Sequence, residues 1–355
     1  MNENAELKAA RVGVVMGGTS AERDISLRSG QSVARALADQ GYDVVPVVLG
    51  AEIDIMVTLE RAQMDVAFLA LHGRLGEDGC VQGLLELLGI PYTGSSVLSS
   101  ALAMDKLKSK ELFRLHNVPT PPYYVFGEDS SPADLEEVHG SFGFPVIVKP
   151  RREGSSIGIA KATTLGELAT AIEGALRFDS SVLVERFIKA REVAVGLLGG
   201  RVLGAIEIAP KNGIYDFQAK YTPGMTDYYM PARLPAARYR GVLNLAERAA
   251  QALDTSGAVR VDLLVTEGQN EYVLEVNSLP GMTPQSLLPK IAQAAGFDFG
   301  ELCEAILQRA RLHTGAPRHK FDSGVELSQG DDVAEEQSAV VSRGQGARSQ
   351  RSRTA

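Results

Sequence analysis

Hydrophobic and polar positions alternate late in the chain in a pattern that is typical of a β-hairpin. Two apolar runs, Val259–Val265 and Tyr272–Val276, flank the polar turn Glu267–Asn270, and this arrangement predicts two antiparallel strands. Because successive side chains of a strand point to opposite faces, one face of the hairpin should lie against a core. The residues of that apolar face are Val261, Leu263, Val265, Leu274 and Val276.

The opposite face of this hairpin carries charged and amide side chains. A turn centred in the middle of the polar segment places Asp262 opposite Glu275, and Arg260 opposite Asn277. Facing carboxylates roughly 5 Å apart repel each other unless a cation lies between them, and these oxygens suit Mg²⁺ that bridges nucleotide phosphates. Arg260 suits an anion or a developing oxyanion. The alternative is an ordinary hairpin with a solvated acidic face. It stays open because a shift of the turn by one residue would no longer place Asp262 opposite Glu275.

The N-terminal part of the chain alternates strands and helices, which predicts an α/β unit with a parallel sheet. Its predicted elements are strand Val12–Met16, helix Ala21–Gln40 with Ser20 as N-cap, strand Tyr42–Leu49 and strand Asp65–Leu71. The glycine fingerprint of a dinucleotide site is missing, so NAD is not expected. Glu22 lies in the first turn of the predicted helix, where it either complements the helix dipole or binds a substrate ammonium group.

A polar, glycine-rich loop, His72–Gly79, follows the third predicted strand, at the edge where ligand sites of parallel sheets form. We interpret it as a binding loop in which His72 either contacts a substrate or orients its neighbours. The next segment, residues 95–115, has a helical pattern. Lys108 and Lys110 on this helix are expected to be solvated surface residues, as most lysines are.

A strand, a loop rich in glycine and serine, and a return strand are predicted in the middle of the chain. The strand Pro145–Lys149 ends in a lysine that can bind phosphate as a point charge, and Ile157–Ala160 is the predicted return strand. Between them, Glu153–Ser156 offers amide and hydroxyl donors that can close over phosphates. The loop lacks the ending of a Walker motif. A phosphate lid and an ordinary hairpin turn are therefore both open.

A second antiparallel sheet is predicted from the alternating runs between Ser181 and Ile208. The segment Pro210–Pro235 has no clear period, and loops of that length are often lids. It contains Lys220 and Tyr221. From His313 onward the chain is polar and poor in large apolar residues, which predicts a disordered tail.

Composition limits the classes of protein that this chain can be. A chain of 355 residues with 45% hydrophobic and 23% charged residues is expected to form two or three globular domains. A net charge of −8 argues against nucleic acid as the main partner, and no apolar run is long enough for a membrane span. The polar, acidic start predicts a cytoplasmic protein. Cys80 and Cys303 lack metal-ligand spacing and are both interpreted as buried small residues.

Several short motifs in their order along the chain resemble the D-alanine–D-alanine ligase family of ATP-grasp enzymes, over residues from about Arg11 to Leu312. The matching segments are Gly17–Arg23, Leu71–Gly73, Gly76–Gly79, Met104–Lys106, Val148–Pro150, Glu153–Ser156, Ala219–Tyr221, Arg260–Asp262, Glu275–Asn277 and Pro280–Thr283. Each motif alone is a weak signal. Together, in this order and spacing, they are specific, and they favour the functional interpretation at each of the open points above.

The resemblance implies an α/β (α+β ATP-grasp) fold: an N-terminal Rossmann-like parallel-sheet lobe followed by two ATP-grasp lobes with antiparallel sheets. The implied domains are 11–94 (substrate binding), 95–185 (central ATP-grasp subdomain), 186–312 (C-terminal subdomain with the metal site) and the tail 313–355. It also implies that the γ-phosphoryl group of ATP passes to the carboxylate of one D-alanine. The amine of a second D-alanine then attacks this acyl phosphate.

The resemblance further assigns expected roles to individual residues. The expected catalytic residues are Glu22, Ser155, Tyr221 and Arg260. The expected substrate-binding residues are Glu22, His72, Lys220, Arg260, Ser286 and Leu287. The expected ATP-binding residues are Lys106, Lys149, Ser155, Ser156, Glu185, Arg186, Phe187, Ile188 and Glu192. Asp262, Glu275 and Asn277 are expected to hold two Mg²⁺ ions, for which Mn²⁺ can substitute.

Two alternatives compete with a dipeptide ligase. The first is a related ligase whose acceptor is D-lactate or D-serine. The resemblance implies that Tyr221 favours the dipeptide over the D-lactate ester, because ester-forming relatives often carry phenylalanine at that position. The second is a catalytically silent nucleotide-binding protein, which predicts loss of a metal ligand or a phosphate lysine; all of them are present. The expected partners are D-alanine and ATP, without nucleic acid or membrane, and the resemblance suggests a homodimer.

Overall fold

A computed structural model describes most of the first 314 residues of the chain. The described residues are 7–51, 54–127, 129–130, 132–211, 215, 222, 224–268 and 270–314. The tail predicted to be disordered therefore lies outside them, except for His313 and Thr314, which both hydrogen-bond to Glu86. In this part of the chain, no helix has the length and apolar character needed to cross a membrane.

The first lobe is a parallel sheet with helices on both faces. Its strands are β1 (Arg11–Gly17), β2 (Asp43–Leu49) and β3 (Val66–Leu69), in the order β2-β1-β3. Its helices are α1 (Arg23–Asp39), α2 (Ile55–Arg61) and α3 (Cys80–Leu88). Each strand is largely apolar because both faces of the sheet are covered, one by α1 and the other by α2 and α3.

The second sheet is antiparallel and has the strand order β4-β7-β5-β6. Its strands are β4 (Tyr123–Gly127), β5 (Val146–Pro150), β6 (Ala160–Ala162) and β7 (Ser181–Arg186). The helices of this region are α4 (Val97–Met104), α5 (Lys106–Leu115), a 3₁₀ turn at Pro132–Asp134, α6 (Leu135–His139) and α7 (Leu165–Leu176). The apolar side of α7, including Leu168 and Ile172, packs on the sheet and forms the core of this lobe.

The third sheet contains the hairpin and has the strand order β10-β9-β8-β11-β12. Its strands are β8 (Arg191–Leu198), β9 (Arg201–Pro210), β10 (Thr226–Tyr229), β11 (Ala258–Val265) and β12 (Glu271–Asn277). The last helices are α8 (Ala236–Ala252), α9 (Leu287–Ala294) and α10 (Phe299–Leu307). Helix α8 covers one face of this sheet, and α9 packs on β8 and β9 across part of the other face, so the hairpin side of that face is left for the site.

The first and third lobes share a hydrophobic core. Apolar residues of β1 and α1 pack in one cluster with Met282, with Leu288 of α9 and with Leu302 of α10. The parallel sheet and the two antiparallel sheets together confirm the predicted fold class. The shared core fixes the N-terminal sheet against the loop that follows the hairpin.

Several local boundaries differ from the prediction; the strand predicted over Asp65–Leu71, for example, is β3, Val66–Leu69. The helix predicted over residues 95–115 is two helices, because Asp105 ends α4 and caps α5 by accepting hydrogen bonds from the Leu107 and Lys108 amides. The N-cap of α1 is Glu22 rather than Ser20. The return strand begins only at Ala160, because the chain turns through Gly158, whose φ of +69° favours glycine.

Candidate active site

The β11–β12 hairpin pairs Asp262 with Glu275 and Arg260 with Asn277, as the sequence predicts. These four side chains lie on the face of the third sheet that α8 does not cover. The two carboxylates are direct cross-strand neighbours, an arrangement that is unfavourable unless a cation lies nearby.

A β-bulge preserves this register even though the turn differs from the prediction. Beyond the site, Leu263 pairs with Val273, so the pairing shifts between Asp262 and Leu263. The extra residue is Leu274, which the alternation assigned to the core; Val273 is buried there instead. A bulge inserts one residue and so reverses which side chains face the core beyond it. The prediction for Leu274 was wrong, whereas the pairing of the site residues was right.

The Arg260 guanidinium donates two hydrogen bonds to Asp262, from Nε to Oδ1 and from Nη2 to Oδ2, both at 2.8 Å. Asn277 Nδ2 also donates to Asp262 Oδ2, at 3.2 Å. Burial opposes the positive charge, but Asp262 and Glu275 outweigh it and raise the pKa of Arg260. The arginine is therefore a permanent cation beside the acidic pair.

The donor set on this face fits magnesium bound together with phosphate oxygens. Asp262, Glu275 and Asn277 provide two carboxylates and one amide oxygen, which are hard ligands. Within the described residues, no cluster of three or more His, Cys, Asp or Glu side chains could hold a metal by itself. The two carboxylates and the amide oxygen suit Mg²⁺, which is usually held by one or two carboxylates plus substrate phosphates.

Three buried lysines lie beside this acidic face. Lys149 Nζ is 2.7 Å from Glu185 Oε2, and Lys110 Nζ is 2.8 Å from Glu185 Oε1. Lys106 donates to the backbone carbonyl of Glu153 and interacts electrostatically with Glu275. Burial alone would raise the pKa of Glu185, but Lys110 and Lys149 lower it to about 2. The cluster keeps an excess of positive charge where a polyanion could bind.

Lys110 is not the solvated surface residue that the sequence predicts. Its side chain is fully buried, and burial, the dominant effect, lowers its pKa to about 8. Lys108, for which the same expectation was made, is exposed and pairs with Glu111. The sequence did contain a signal for Lys110, because residues i and i+4 share a helix face and Lys106 lies one turn earlier.

Glu22 is enclosed by two glycines and joined to the loop of the second lobe. Ser155 donates a hydrogen bond to the Glu22 carboxylate. A Cβ added at Gly154 would lie 2.5 Å from Glu22 Oε2, and one added at Gly73 would lie 2.9 Å from the same oxygen. Ser155 and the following Ser156 have positive φ angles of 46° and 59°, a conformation that costs energy outside glycine. The loop is thus held in a strained form against Glu22.

Glu77 is a site residue that the sequence analysis did not single out. Its carboxylate accepts a hydrogen bond from the Gly73 amide at 2.6 Å. Desolvation, followed by the charge of Glu22, raises its pKa well above the ordinary value, and Arg260 and Glu275 also act on it. The signal in the sequence was its place in the loop after β3, at the carboxyl edge of the sheet. Glu77 therefore interacts electrostatically with both the Glu22 and the Glu275 parts of the site.

The remaining predicted binding residues lie at the borders of this region. Ser286 is the N-cap of α9 and Leu287 is its first residue, so the end of the helix that favours anions adjoins the loop after Asn277. Arg186 ends β7, where Nη2 donates to the Phe142 carbonyl. Phe187 and Ile188 connect the second sheet to the third, and Glu192 lies in β8.

The predicted lid residues Lys220 and Tyr221 lie outside the described residues. Of the surrounding loop, Tyr215 is described, and its backbone carbonyl accepts a hydrogen bond from Ser156 Oγ at 3.3 Å. Cys303 is buried as expected, but Cys80 is exposed at the start of α3, which contradicts the prediction.

An α/β lobe followed by two antiparallel sheets, with buried lysines facing an acidic hairpin, defines an ATP-grasp enzyme. Residues 112–308 match the family described as D-ala D-ala ligase C-terminus, and residues 11–58 and 52–95 match D-ala D-ala ligase N-terminus. The chain belongs to the D-alanine–D-alanine ligase family, which confirms the resemblance drawn from its motifs.

Individual relatives agree with this family. The D-alanine–D-alanine ligase of Geotalea uraniireducens (strain Rf4) is 53% identical over 309 residues, which are 86% of this chain and 97% of that protein. The ligase of Bacillus anthracis complexed with ATP is 36% identical with a TM-score of 0.73, over 84% of this chain and 97% of that one. The VanG D-Ala:D-Ser ligase of Enterococcus faecalis is 30% identical with a TM-score of 0.73, over 84% and 98%.

Proposed function

We propose that this chain joins two D-alanine molecules into D-alanyl-D-alanine for peptidoglycan precursor synthesis and converts ATP to ADP and phosphate. First, a carboxylate oxygen of one D-alanine bonds to the γ-phosphorus of ATP, and ADP leaves with the electrons of the broken bond. The amine of the second D-alanine then attacks the carbonyl carbon, and the tetrahedral intermediate expels phosphate. Phosphorylation is needed because a free carboxylate is a poor electrophile, and the protein contributes mainly positioning and charge neutralisation.

The observation that carries this proposal is the hairpin register, with Asp262 opposite Glu275 and Arg260 opposite Asn277. Asp262, Glu275 and Asn277 would hold two magnesium or manganese ions, which neutralise phosphate charge when bound. Arg260 lies at the acidic pair, where it would stabilise the oxyanion of the tetrahedral intermediate.

The nucleotide would lie between the second and third sheets. Lys106 and Lys149 would bind its phosphates, and the 153–156 loop would close over them with Ser155 and Ser156. The segment from β7 to β8 would hold the nucleoside, with Glu185, Arg186, Phe187 and Ile188 around the adenine and Glu192 at the ribose. The ion pairs of Glu185 with two lysines would rearrange when phosphate attracts Lys149.

The two amino acids would lie between the first and third lobes. Glu22 would bind the ammonium group of the first D-alanine, with Ser155 and Tyr221 in the same hydrogen-bonded group. Ser286 and Leu287 at the start of α9 would bind the carboxylate of the second D-alanine. Lys220 would close the lid, and His72 would lie near both substrates.

A coupled assay of ADP formation with ATP, Mg²⁺ and D-alanine tests this function. D-Alanine should support ADP formation and yield dipeptide, whereas L-alanine should not. D-Lactate and D-serine, each offered with D-alanine, test the alternative acceptors by the product formed. Failure of D-alanine to stimulate ADP formation would overturn the proposal.

Tyr221→Phe should raise ester formation relative to peptide formation as the pH falls, since a protonated amine cannot attack.

We also propose that the protein is a homodimer located in the cytoplasm. Its proposed domains are residues 11–94, 95–185 and 186–312, followed by a tail from residue 313. Exposed apolar side chains on the first two helices after β3 support a dimer surface there: Leu87 is 88% exposed and Leu98 is 68% exposed. Leu98→Asp should convert the dimer to a monomer in light scattering. Leu115→Asp, at an exposed leucine on α5, is the control; a monomeric wild type would overturn the assembly.

A further inference from the structure

Ser29 is a fully buried serine of α1 that joins the first lobe to the loop following the hairpin. Its Oγ accepts a hydrogen bond from the Met282 amide at 3.2 Å and lies 3.3 Å from Nε2 of His72. Buried hydroxyls of this kind cost energy unless both their donor and acceptor capacities are used. Ser29 is placed to use both, because it accepts from the loop and its hydroxyl lies within hydrogen-bond distance of the histidine.

The direction of these hydrogen bonds follows from the protonation state of His72. Burial, the dominant effect, together with the charge of Arg260 lowers the pKa of His72 to about 4, against a smaller opposing effect of the Leu279 backbone. The ring is therefore neutral near pH 7, and in the tautomer that is protonated at Nδ1 its Nε2 accepts a hydrogen bond from the Ser29 hydroxyl. Ser29 and His72 together contact the loop at two points, Met282 and Leu279.

The loop that Ser29 contacts connects two parts of the proposed site. It leaves β12 after Asn277, on the metal-binding face, and enters α9 at Ser286, the proposed contact of the second carboxylate. Thr283 and Ser286 are hydrogen-bonded to each other at the far end of the loop, with Thr283 N and Ser286 Oγ 3.1 Å apart. Met282 lies between these ends, so its position affects the distance from the metal face to the acceptor site.

Helix α1 also carries the proposed contact of the first substrate. Glu22 is its N-cap, about two turns and ~10 Å before Ser29 along the helix axis. Residues separated by two turns lie on one face of a helix. A single rigid helix thus contacts the donor site through Glu22 and the acceptor loop through Ser29.

We propose that Ser29 is a positioning residue that sets the acceptor D-alanine against the acyl phosphate, with α1 fixing the distance between the two subsites. The inference rests on the proposed ligase function. Loss of the Ser29 hydroxyl leaves the Met282 amide unpaired and releases the loop, so the acceptor amine is misplaced. The donor half of the reaction depends mainly on Glu22, the lysines and the metal face, and we expect it to change much less.

Trapping with hydroxylamine separates the two halves of the reaction. Hydroxylamine attacks the carbonyl carbon of the acyl phosphate, releases phosphate and leaves D-alanyl hydroxamate, without needing the contacts that hold the acceptor carboxylate. Dipeptide and hydroxamate formation are measured for wild type, Ser29→Ala, Ser29→Cys and Ser26→Ala. Ser26 is the matched control because it is equally buried on α1 but bonds the Gly17 amide and the Ala70 carbonyl instead of the loop.

Ser29→Ala should lower dipeptide formation by roughly 10- to 100-fold, the effect of a misplacement of about 1 Å, and should change hydroxamate formation by less than about threefold. The KM for D-alanine as acceptor should rise while the KM for ATP stays the same. Ser29→Cys, which keeps the shape and a weak donor, should fall between Ser29→Ala and wild type. Ser26→Ala should keep the wild-type ratio of the two products.

Equal loss of both products in Ser29→Ala, or wild-type dipeptide formation, would overturn the positioning role. If Ser29→Ala does not fold, the ratio of dipeptide to hydroxamate formed by Ser29→Cys tests the positioning role instead. A wild type that forms neither product would instead reject the ligase function, so the two failures are distinguishable.

Discussion

Lys110 Nζ and Glu185 Oε1 lie 2.8 Å apart, in an ion pair that is almost completely removed from solvent. The other oxygen of Glu185 pairs with Lys149, and Lys110 also donates to Thr120 Oγ1 at 2.5 Å. One carboxylate therefore holds two lysines from different elements of the second lobe. This ion pair fixes the position of Lys149, which is one of the proposed phosphate ligands.

Replacement of Lys110 tests how much this buried pair contributes to stability. Lys110→Met should lower the free energy of unfolding by about 3 to 5 kcal/mol, because it leaves a buried carboxylate with one partner fewer. Lys108→Met, on the exposed face of the same helix, should cost no more than ~1 kcal/mol. Denaturation in urea gives both values, and equal effects of the two substitutions would contradict the structural role of Lys110.

Crowding around Glu22 predicts the effect of a single added methyl group. Gly154→Ala places a Cβ 2.5 Å from Glu22 Oε2, so the carboxylate must move and kcat/KM for D-alanine should fall roughly 100-fold. Gly174→Ala in α7 meets no atom within 4 Å and should stabilise the protein by about 0.5 to 1 kcal/mol. Steady-state kinetics and thermal melting of the two variants distinguish crowding from a general effect of alanine. Wild-type kinetics in Gly154→Ala would show that Glu22 needs no fixed position.

The acidic hairpin predicts a defect in metal-dependent nucleotide binding. Glu275→Ala should abolish ADP formation at any Mg²⁺ concentration and should remove the rise in melting temperature that Mg²⁺ and ATP give the wild type. Chelation of Mg²⁺ by EDTA should do the same to the wild-type protein. Glu271→Gln is the control, since Glu271 lies on the same strand but pairs with Arg238 away from the site. Activity retained in Glu275→Ala would remove Glu275 from the metal site.

The neutral state of His72 predicts a dependence of stability on pH. The pKa of this histidine is about 4 in the folded protein and ~6.5 when unfolded, so the unfolded state binds more protons between these values. The stabilising contribution is present above about pH 6.5 and is lost as the pH falls toward 4, at most roughly 3 kcal/mol. His72→Asn should flatten this part of the stability curve, measured by urea denaturation. An unchanged slope would mean that another group is responsible.

The sequence predicted the elements and residue pairs that depend on local periodicity. Alternation of apolar and polar positions identified both strands of the hairpin, and the assumed centre of the turn set Asp262 opposite Glu275, which the structure confirms. The strands and helices of the first lobe followed from their apolar runs in the same way. The order of the short motifs along the chain was enough to identify the family.

The sequence could not predict features that depend on contacts between distant segments. Leu274 was assigned to the wrong face because the turn differs from the prediction and a β-bulge compensates for that difference. The two changes together leave Asp262 paired with Glu275, so the sequence pattern does not reveal them. Asp105 breaks the helix that was predicted as continuous because its carboxylate caps α5 and also pairs with Arg151, which lies far along the chain.

By itself, the sequence determined the fold class, the family and the hairpin that carries the acidic pair, because each depends on periodicity or on motif order within short segments. Only the tertiary structure decided that Lys110 is buried against Glu185, that Glu77 interacts with Glu22 and Glu275, and that Ser29 contacts the loop at Met282. The physical reason is that burial and pKa depend on which distant groups pack around a side chain.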